Sequence, residues 1–153
     1  LSQYGELRNA PKLARAIYGA ARNVSIETSQ QLKAVINPFL PRGREHKVLA
    51  QVYQAIRIEV NQELEVLKDF LMQTQDMLES GGRLSLISYH SLEDRLVKRY
   101  IRSGLFEGQP EKDFYGNVDV PFKKVGKLIV PNAEEISKNN RARSAKLRVA
   151  ERI

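Results

Sequence analysis

The chain has 153 residues, 42% of them apolar, so it can hold one compact domain or two small ones. It contains no cysteine, which excludes disulfides and thiolate metal sites, and no apolar run approaches the length of a membrane span. The net charge is +7: residues 1–122 hold 16 Lys and Arg against 15 Asp and Glu, whereas residues 123–153 hold 9 against 3. Such a basic end is typical of nucleic-acid-binding proteins, and equally of a solubilising surface. The polar N-terminus lacks the pattern of a signal peptide, so we expect a cytoplasmic protein.

The first part of the chain is predicted to be helical. Apolar positions spaced by three and four residues predict a helix over 6–22. Pro11 must lie near a helix start or break the helix, because proline cannot donate to the preceding turn. Thr28 and Ser29 are candidate N-caps of a second, short helix that extends to about Val35.

The segment Lys47–Glu79 has the apolar spacing of a long amphipathic helix, or of two helices joined near Asn61–Glu65. Arg57, Asn61 and Glu65 would form one polar stripe along it. That stripe is either an ordinary solvated face or a face that lines a cleft.

A strand, a turn and a helix are predicted next. Residues 83–89 are apolar and compatible with a short buried strand. Ser91 and Asp94 have the spacing of a capping box that opens a helix over 92–103.

Two further strands are predicted near the end of the chain. Residues 104–121 are rich in Gly, Pro and Asp and predict a long loop. Strands are predicted at about 122–130 and 145–153, with a short helix that begins after Asn132. The sequence therefore predicts an α/β fold.

The turn Tyr89-His90-Ser91 is the strongest candidate for chemistry. It follows a predicted strand, and ligands bind at the carboxyl ends of strands in open α/β sheets. His90 can transfer protons near neutral pH, with Ser91 and Glu93 close by in sequence. Alternatively, Ser91 and Asp94 only cap the helix while His90 packs.

The basic block 141–148 could follow a phosphate backbone, with Arg141, Arg143, Lys146 and Arg148 as contacts. It could also be a strand edge protected by charge. In a strand, alternation would place Lys146 and Arg148 on the same face.

Two kinds of site are missing from the sequence. No two of the nine glycines are spaced Gly-x-Gly, so the glycine-rich cofactor loop of a nucleotide-type fold is absent. No spacing of His, Asp and Glu indicates a metal site.

Four stretches carry recognisable motifs: Tyr4–Ile17, Gln54–Leu64, Ile87–Lys98 and Asn139–Arg152. Together they resemble the MraW (RsmH) family of bacterial 16S rRNA cytosine-N4 methyltransferases. Two positions depart from the family pattern, because Tyr89 stands where Phe is usual and Asn140 stands where Pro is usual.

The resemblance implies a partial class I (Rossmann-like) methyltransferase sheet together with part of an inserted helical domain. Residues 1–46 would be the end of the insertion and residues 47–153 the C-terminal part of the α/β domain. The cofactor would be S-adenosylmethionine, with no cofactor-binding residue in this chain, because nothing here matches the N-terminal part of the family. The chain would then be an inactive fragment of the enzyme, with an unpaired sheet edge open to self-association.

In the complete enzyme, the positions of the residues singled out above predict their roles, because the 89–91 turn opens toward the crevice and the excess positive charge is concentrated in the last segment. His90, Ser91 and Glu93 would lie at the cleft between cofactor and cytidine. The partner would be 16S rRNA in the small ribosomal subunit, held by the four cations of the basic block. Two alternatives from other classes are a non-catalytic RNA-binding module and a purely structural helical adaptor.

Overall fold

The computed structural model describes all residues from 1 to 153, and they form two compact units, Leu1–Glu63 and Leu64–Ile153. The sequence predicted a division after residue 46 instead. The difference arises because the helix that follows residue 44 packs Val48 and Val52 into the core of the first unit. None of the helices combines the length and apolar character that a membrane crossing requires.

The first unit contains four α-helices: α1 (Ser2–Gly5), α2 (Ala10–Ala21), α3 (Ser29–Ile36) and α4 (Glu45–Asn61). A 3₁₀ helix (Asn37–Phe39) lies between α3 and α4. Their core contains Leu13 and Ile36, both fully buried. Pro11 lies in the first turn of α2, which is one of its two predicted places, so this helix begins at Ala10 and not at residue 6. Thr28 caps α3 and forms a capping box with Gln31, whose side chain accepts from the Thr28 N–H at 2.9 Å.

The long helical segment is two helices. Helix α4 ends at a left-handed residue, Gln62 (φ 50°), and α5 (Glu63–Met77) follows it. The polar stripe predicted for a single helix is therefore wrong. Arg57 and Asn61 hydrogen-bond to the first residue of α5, with N–O distances of 2.7 and 3.2 Å, whereas Glu65 pairs with Lys68.

The second unit contains a three-stranded antiparallel sheet. Its strands are β1 (Arg83–Ser88), β2 (Phe122–Ile129) and β3 (Lys146–Arg152), each within one residue of its predicted bounds. The order is β1-β3-β2, and β3 is antiparallel to both neighbours, so β1 and β2 point in the same direction. Helix α6 (Ser91–Ser103) lies between β1 and β2 in sequence, and α7 (Ala133–Lys138) and a 3₁₀ helix (Asn140–Ser144) precede β3.

The core of this unit lies on one face of the sheet. Leu84 of β1, Phe122 of β2 and Ala150 of β3 pack with Leu71 of α5 and Tyr100 of α6. The opposite face is more open. Ile87 and Ile129 are 59% and 54% exposed there.

A glycine ends α6 at a tight contact. Gly104 has φ 66°, and a Cβ added to it would lie 2.9 Å from Cδ of Pro121. We expect Gly104→Ala to lower the free energy of unfolding of the second unit by more than the roughly 1–2 kcal/mol cost of a left-handed residue. Native-state hydrogen exchange of α6 and β2 amides would measure the free energy of unfolding of the second unit separately from that of the first.

The matched control is Gly116→Ala. Gly116 also has positive φ (87°), but a Cβ there would meet open space, so only the backbone cost applies. Equal losses for the two variants would show that Pro121 moves aside at no cost.

Candidate functional site

The two segments that the sequence singled out lie together at one edge of the sheet, the edge formed by the strand ends, where β1 and β2 end and β3 begins. Ser88 at the end of β1 pairs with Lys146 at the start of β3, and Ile129 at the end of β2 pairs with Leu147. The carboxyl ends of β1 and β2 therefore lie at the edge where β3 begins. The 89–91 turn follows β1 at this edge, and the basic 3₁₀ helix precedes β3 there. This is the kind of edge at which open α/β sheets bind ligands.

The turn is held by a capping box made of His90 and Glu93. The Glu93 N–H donates to His90 Nδ1 at 3.3 Å, and Glu93 Oε2 accepts from the N–H groups of Tyr89 at 2.9 Å and His90 at 3.3 Å. The predicted box of Ser91 and Asp94 is therefore wrong by one residue. The extended backbone of His90 (φ −130°, ψ 163°) makes it the N-cap, and α6 begins at Ser91.

Both ring nitrogens of His90 are restricted by this arrangement. Because Nδ1 accepts a hydrogen bond, the proton of the neutral ring lies on Nε2. Nε2 is buried without a hydrogen-bond partner. It lies 3.2 Å from Glu93 Oε1, close enough for an electrostatic contact but without hydrogen-bond alignment. In this conformation Nδ1 holds the turn, and Nε2, although it has no hydrogen-bond partner, is shielded from solvent.

Glu93 is ionised at neutral pH. Burial opposes its ionisation, but the adjacent His90 ring and the N–H groups of Tyr89 and His90 outweigh burial and lower the pKa of Glu93 to about 2. A carboxylate with so low a pKa is a poor proton acceptor near neutral pH and a good hydrogen-bond acceptor.

Asp94 binds two of the four predicted RNA-contacting cations. Its Oδ1 accepts from Arg148 Nε at 2.7 Å, and its Oδ2 accepts from Lys146 Nζ at 3.0 Å. The Asp94 side chain is 10% exposed. Burial opposes its ionisation, but the hydrogen bonds and charges of Arg148 and Lys146 lower the pKa of Asp94 below its usual range.

The sequence did not identify Asp94 as a binding partner. Alternation did place Lys146 and Arg148 on one face, as observed. The missing information was that this face looks toward the first turn of α6, where a carboxylate can neutralise both cations.

The other two cations remain available at the surface. Arg141 and Arg143 are exposed and flank the buried Ala142 in the 3₁₀ helix. The Arg141 N–H donates to Asn139 Oδ1 at 3.1 Å, which fixes the start of this helix. Neither arginine forms a salt bridge, so both can take a further anionic partner.

Comparison with known proteins agrees with the motifs at this edge. The sequence model of the MraW methylase family matches residues 1–153. The chain belongs to the MraW methylase family. This match confirms the resemblance carried by the four motifs. Two of these motifs, Ile87–Lys98 and Asn139–Arg152, form the edge described above.

Curated relatives carry the name ribosomal RNA small subunit methyltransferase H. The protein of Christiangramia forsetii is 69% identical over 98% of this chain and 50% of its own length. That of Flavobacterium johnsoniae is 63% identical over 98% of this chain and 50% of its own length. That of Bacteroides fragilis is 51% identical over 97% of this chain and 49% of its own length. The chain spans about half the length of the curated relatives that it matches.

The Asp94 cluster makes a testable contribution to stability. We expect Asp94→Asn to lower the free energy of unfolding of the second unit by about 3 kcal/mol, because it leaves Arg148 and Lys146 without their counter-charge. Because the folded-state pKa of Asp94 is lowered, the stabilisation is present above its usual pKa of 3.8 and is lost as the pH falls through the folded-state value. Hydrogen exchange of β3 amides as a function of pH would measure both effects.

The control is Glu134→Gln, which breaks the exposed pair of Glu134 with Lys138 on α7. An exposed pair contributes less than about 1 kcal/mol. If the two variants lost the same stability, or if the Asp94→Asn difference persisted at the lowest pH, the buried ion pair would not be its cause.

Proposed function

We propose that this chain is the C-terminal half of an S-adenosylmethionine-dependent methyltransferase that modifies the N4 amine of a cytidine in 16S rRNA, and that this half alone is inactive. The observation that carries the proposal is the match of the whole chain to the MraW methylase family, together with its coverage of only half of each curated relative. The name of the relatives refers only to small-subunit ribosomal RNA. The N4 amine of a cytidine comes from the resemblance of the four motifs to the cytosine-N4 methyltransferases, and it is part of the proposal.

The direction of the strands supports the proposal that this sheet lies at the end of a larger, mostly parallel sheet. β1 and β2 point in the same direction and are joined through α6, as in the crossover units of α/β proteins. β1 pairs only with β3, so its other edge is free to pair with a preceding strand of the parent protein. On this proposal, the first unit is part of the inserted helical domain.

The residues of this chain do not provide a complete site for S-adenosylmethionine. The N–H groups of Tyr89 and His90, at the carboxyl end of β1, already donate to Glu93. No glycine-rich loop is present to approach a nucleotide-like ligand closely. We therefore assign the cofactor to the other half of the parent protein.

His90, Ser91 and Glu93 are proposed to lie at the cleft between cofactor and cytidine. The capping geometry favours a positioning role for His90 and Glu93 over proton transfer by His90, because the ring and the carboxylate are bound to each other's backbone. Ser91, the first residue of α6, is exposed beside them and has a hydroxyl that can both donate and accept.

The basic segment is proposed to hold rRNA. Arg141 and Arg143 are exposed and free of salt bridges, which supports direct contacts with phosphates. Lys146 and Arg148 would contribute less, because Asp94 already neutralises part of their charge.

A non-catalytic RNA-binding module is the alternative that an observation favours. Nearly all the excess positive charge lies in residues 123–153, and an RNA contact made by this segment needs no cofactor. The reading frame upstream of Leu1 distinguishes the two functions. A glycine-rich strand-loop-helix encoded there supports the enzyme, and its absence supports the module.

The first prediction of this proposal concerns the cofactor. We expect the 153-residue chain to bind S-adenosylmethionine no more tightly than about 1 mM, because the backbone groups that would hold it lie in the other half. Isothermal titration calorimetry, with the full-length protein as positive control and circular dichroism as a check of folding, would measure it. A micromolar dissociation constant for the chain alone would contradict the assignment.

The second prediction concerns His90 in the full-length protein. His90→Ala removes the cap, and we expect it to cost about 1 kcal/mol of stability and about fivefold in the rate of methyl transfer. Asn is a good N-cap, so His90→Asn should restore both to within about twofold. Single-turnover kinetics and thermal unfolding would measure the two quantities.

The two variants also separate the two roles of the turn. If His90 itself transfers the proton, both substitutions should slow methyl transfer by about 10²–10⁴-fold, and Asn should not rescue it. That result, with stability unchanged in His90→Asn, would contradict the positioning role.

A further inference from the structure

The second unit contains a pocket away from the 89–91 turn. It has a volume of about 380 Å³ and lies between the second half of α6 and strand β2. Ile101, Phe122 and Val125 form part of an apolar floor. Its volume is that of a site for one ligand-sized group, since such sites in proteins measure roughly 300–1,000 Å³.

Cations surround this floor on two sides. Lys98 and Arg102, one turn apart on α6, line one side, and Lys124 and Lys127 of β2 line the other. All four are exposed and form no salt bridge, and no Asp or Glu lines the pocket. Arg148 also lines it, with its guanidinium bound to Asp94. The pocket therefore has four uncompensated positive charges around an apolar interior.

The strand that forms one wall is irregular at this point. The pairing of β2 with β3 shifts register between Val125 and Ile129, and Gly126 has φ 65°. Such a bulge bends a strand and redirects its side chains. β2 pairs with β3 alone, so the pocket lies at the opposite side of the sheet from the free edge of β1. Addition of further strands at β1 would leave it open.

We infer that this pocket binds one unpaired nucleotide of a single-stranded RNA segment, with the nucleoside on the apolar floor and the flanking phosphates on the lysines and arginine at the two sides. The inference rests on the proposed function and deepens it, since it assigns a second RNA contact apart from the 89–91 turn and the basic 3₁₀ helix. It would hold the substrate strand at a distance from the reacting base.

Charge and shape favour this occupant together. A strand of RNA carries a phosphate on each side of every nucleoside, which matches cations on two opposite sides of an apolar floor. A base enters a pocket of this size only if it is unstacked and unpaired, and proteins read RNA chiefly through such bases. A small inorganic anion would use the cations and leave the apolar floor unused.

The test uses the full-length protein and a short single-stranded RNA labelled for fluorescence anisotropy. The pocket variant is the double substitution Lys124→Gln with Lys127→Gln. The control is Lys33→Gln with Lys112→Gln. It removes the same charge from two exposed lysines that lie outside the pocket and form no salt bridge. We expect the pocket variant to bind at least about tenfold more weakly at low salt. Its plot of log affinity against log salt should flatten by about 0.7, because both lysines lie on the same side of the pocket and contact one of the two flanking phosphates.

A second measurement tests entry of the nucleoside. In the methyl-labelled protein, the same RNA should shift the methyl signals of Val120 and Val125, whereas inorganic phosphate and a duplex of the same sequence should leave them unchanged. Lysine-dependent binding without these shifts would overturn the nucleotide pocket and leave a surface phosphate contact. Binding of the pocket variant within twofold of the parent would overturn the inference entirely and leave the lysines as protection of an edge strand.

Failure of the pocket and failure of the proposed function are distinguishable. Methyl transfer from S-adenosylmethionine to 16S rRNA, measured for the unaltered full-length protein, tests the function without reference to the pocket. Transfer with unchanged RNA affinity in the pocket variant overturns the pocket alone. Absence of transfer overturns the function, and the anisotropy and methyl signals still decide whether the pocket binds RNA.

Discussion

Strand β3 is the one strand of this chain with which β1 and β2 pair. It is the last element in sequence, so the sheet of the second unit is completed only when residues 146–152 insert between two strands that precede them. The face of β3 that looks toward α6 determines what the strand can do. Ala150, with no exposed area, fits against the core there, and Lys146 and Arg148 lie on the same face nearer the carboxyl ends of the neighbouring strands.

The two cations of β3 and the carboxylate of Asp94 need each other, because they face one another between the strand and α6. Two positive side chains on an inward face need a counter-charge, because an unpaired charge away from water is costly. Asp94 lies in the first turn of α6, where a negative charge also favours the helix dipole. The ion pairs therefore link the start of α6 to the start of β3, and the 89–91 turn lies directly before this junction. The stability of the unit and the placement of its candidate site share one set of contacts.

The positive charge of the C-terminal segment divides into structural and available parts. Lys146 and Arg148 neutralise Asp94, whereas Arg141, Arg143 and the lysines of β2 remain exposed without salt bridges. A count of charges along the sequence treats all of them alike. Binding of an anionic polymer depends on the second group, since a cation already paired with a carboxylate releases few counterions from a phosphate backbone.

The sequence by itself determined the positions of the strands, the junction of α4 with α5 as one of two alternatives, and the family. These features depend on local signals: alternation, helical spacing and contiguous motifs such as Ile87–Lys98. Only the tertiary structure decided that His90 is the N-cap of α6, since a helix can begin at either of two adjacent polar residues until the backbone of the preceding strand sets the direction of the turn. It also decided the partners of Asp94, which lie 52 and 54 residues away, and the cations that surround the pocket between α6 and β2. Contacts at that separation are set by the packing of the helix against the sheet, and no local pattern of residues encodes them.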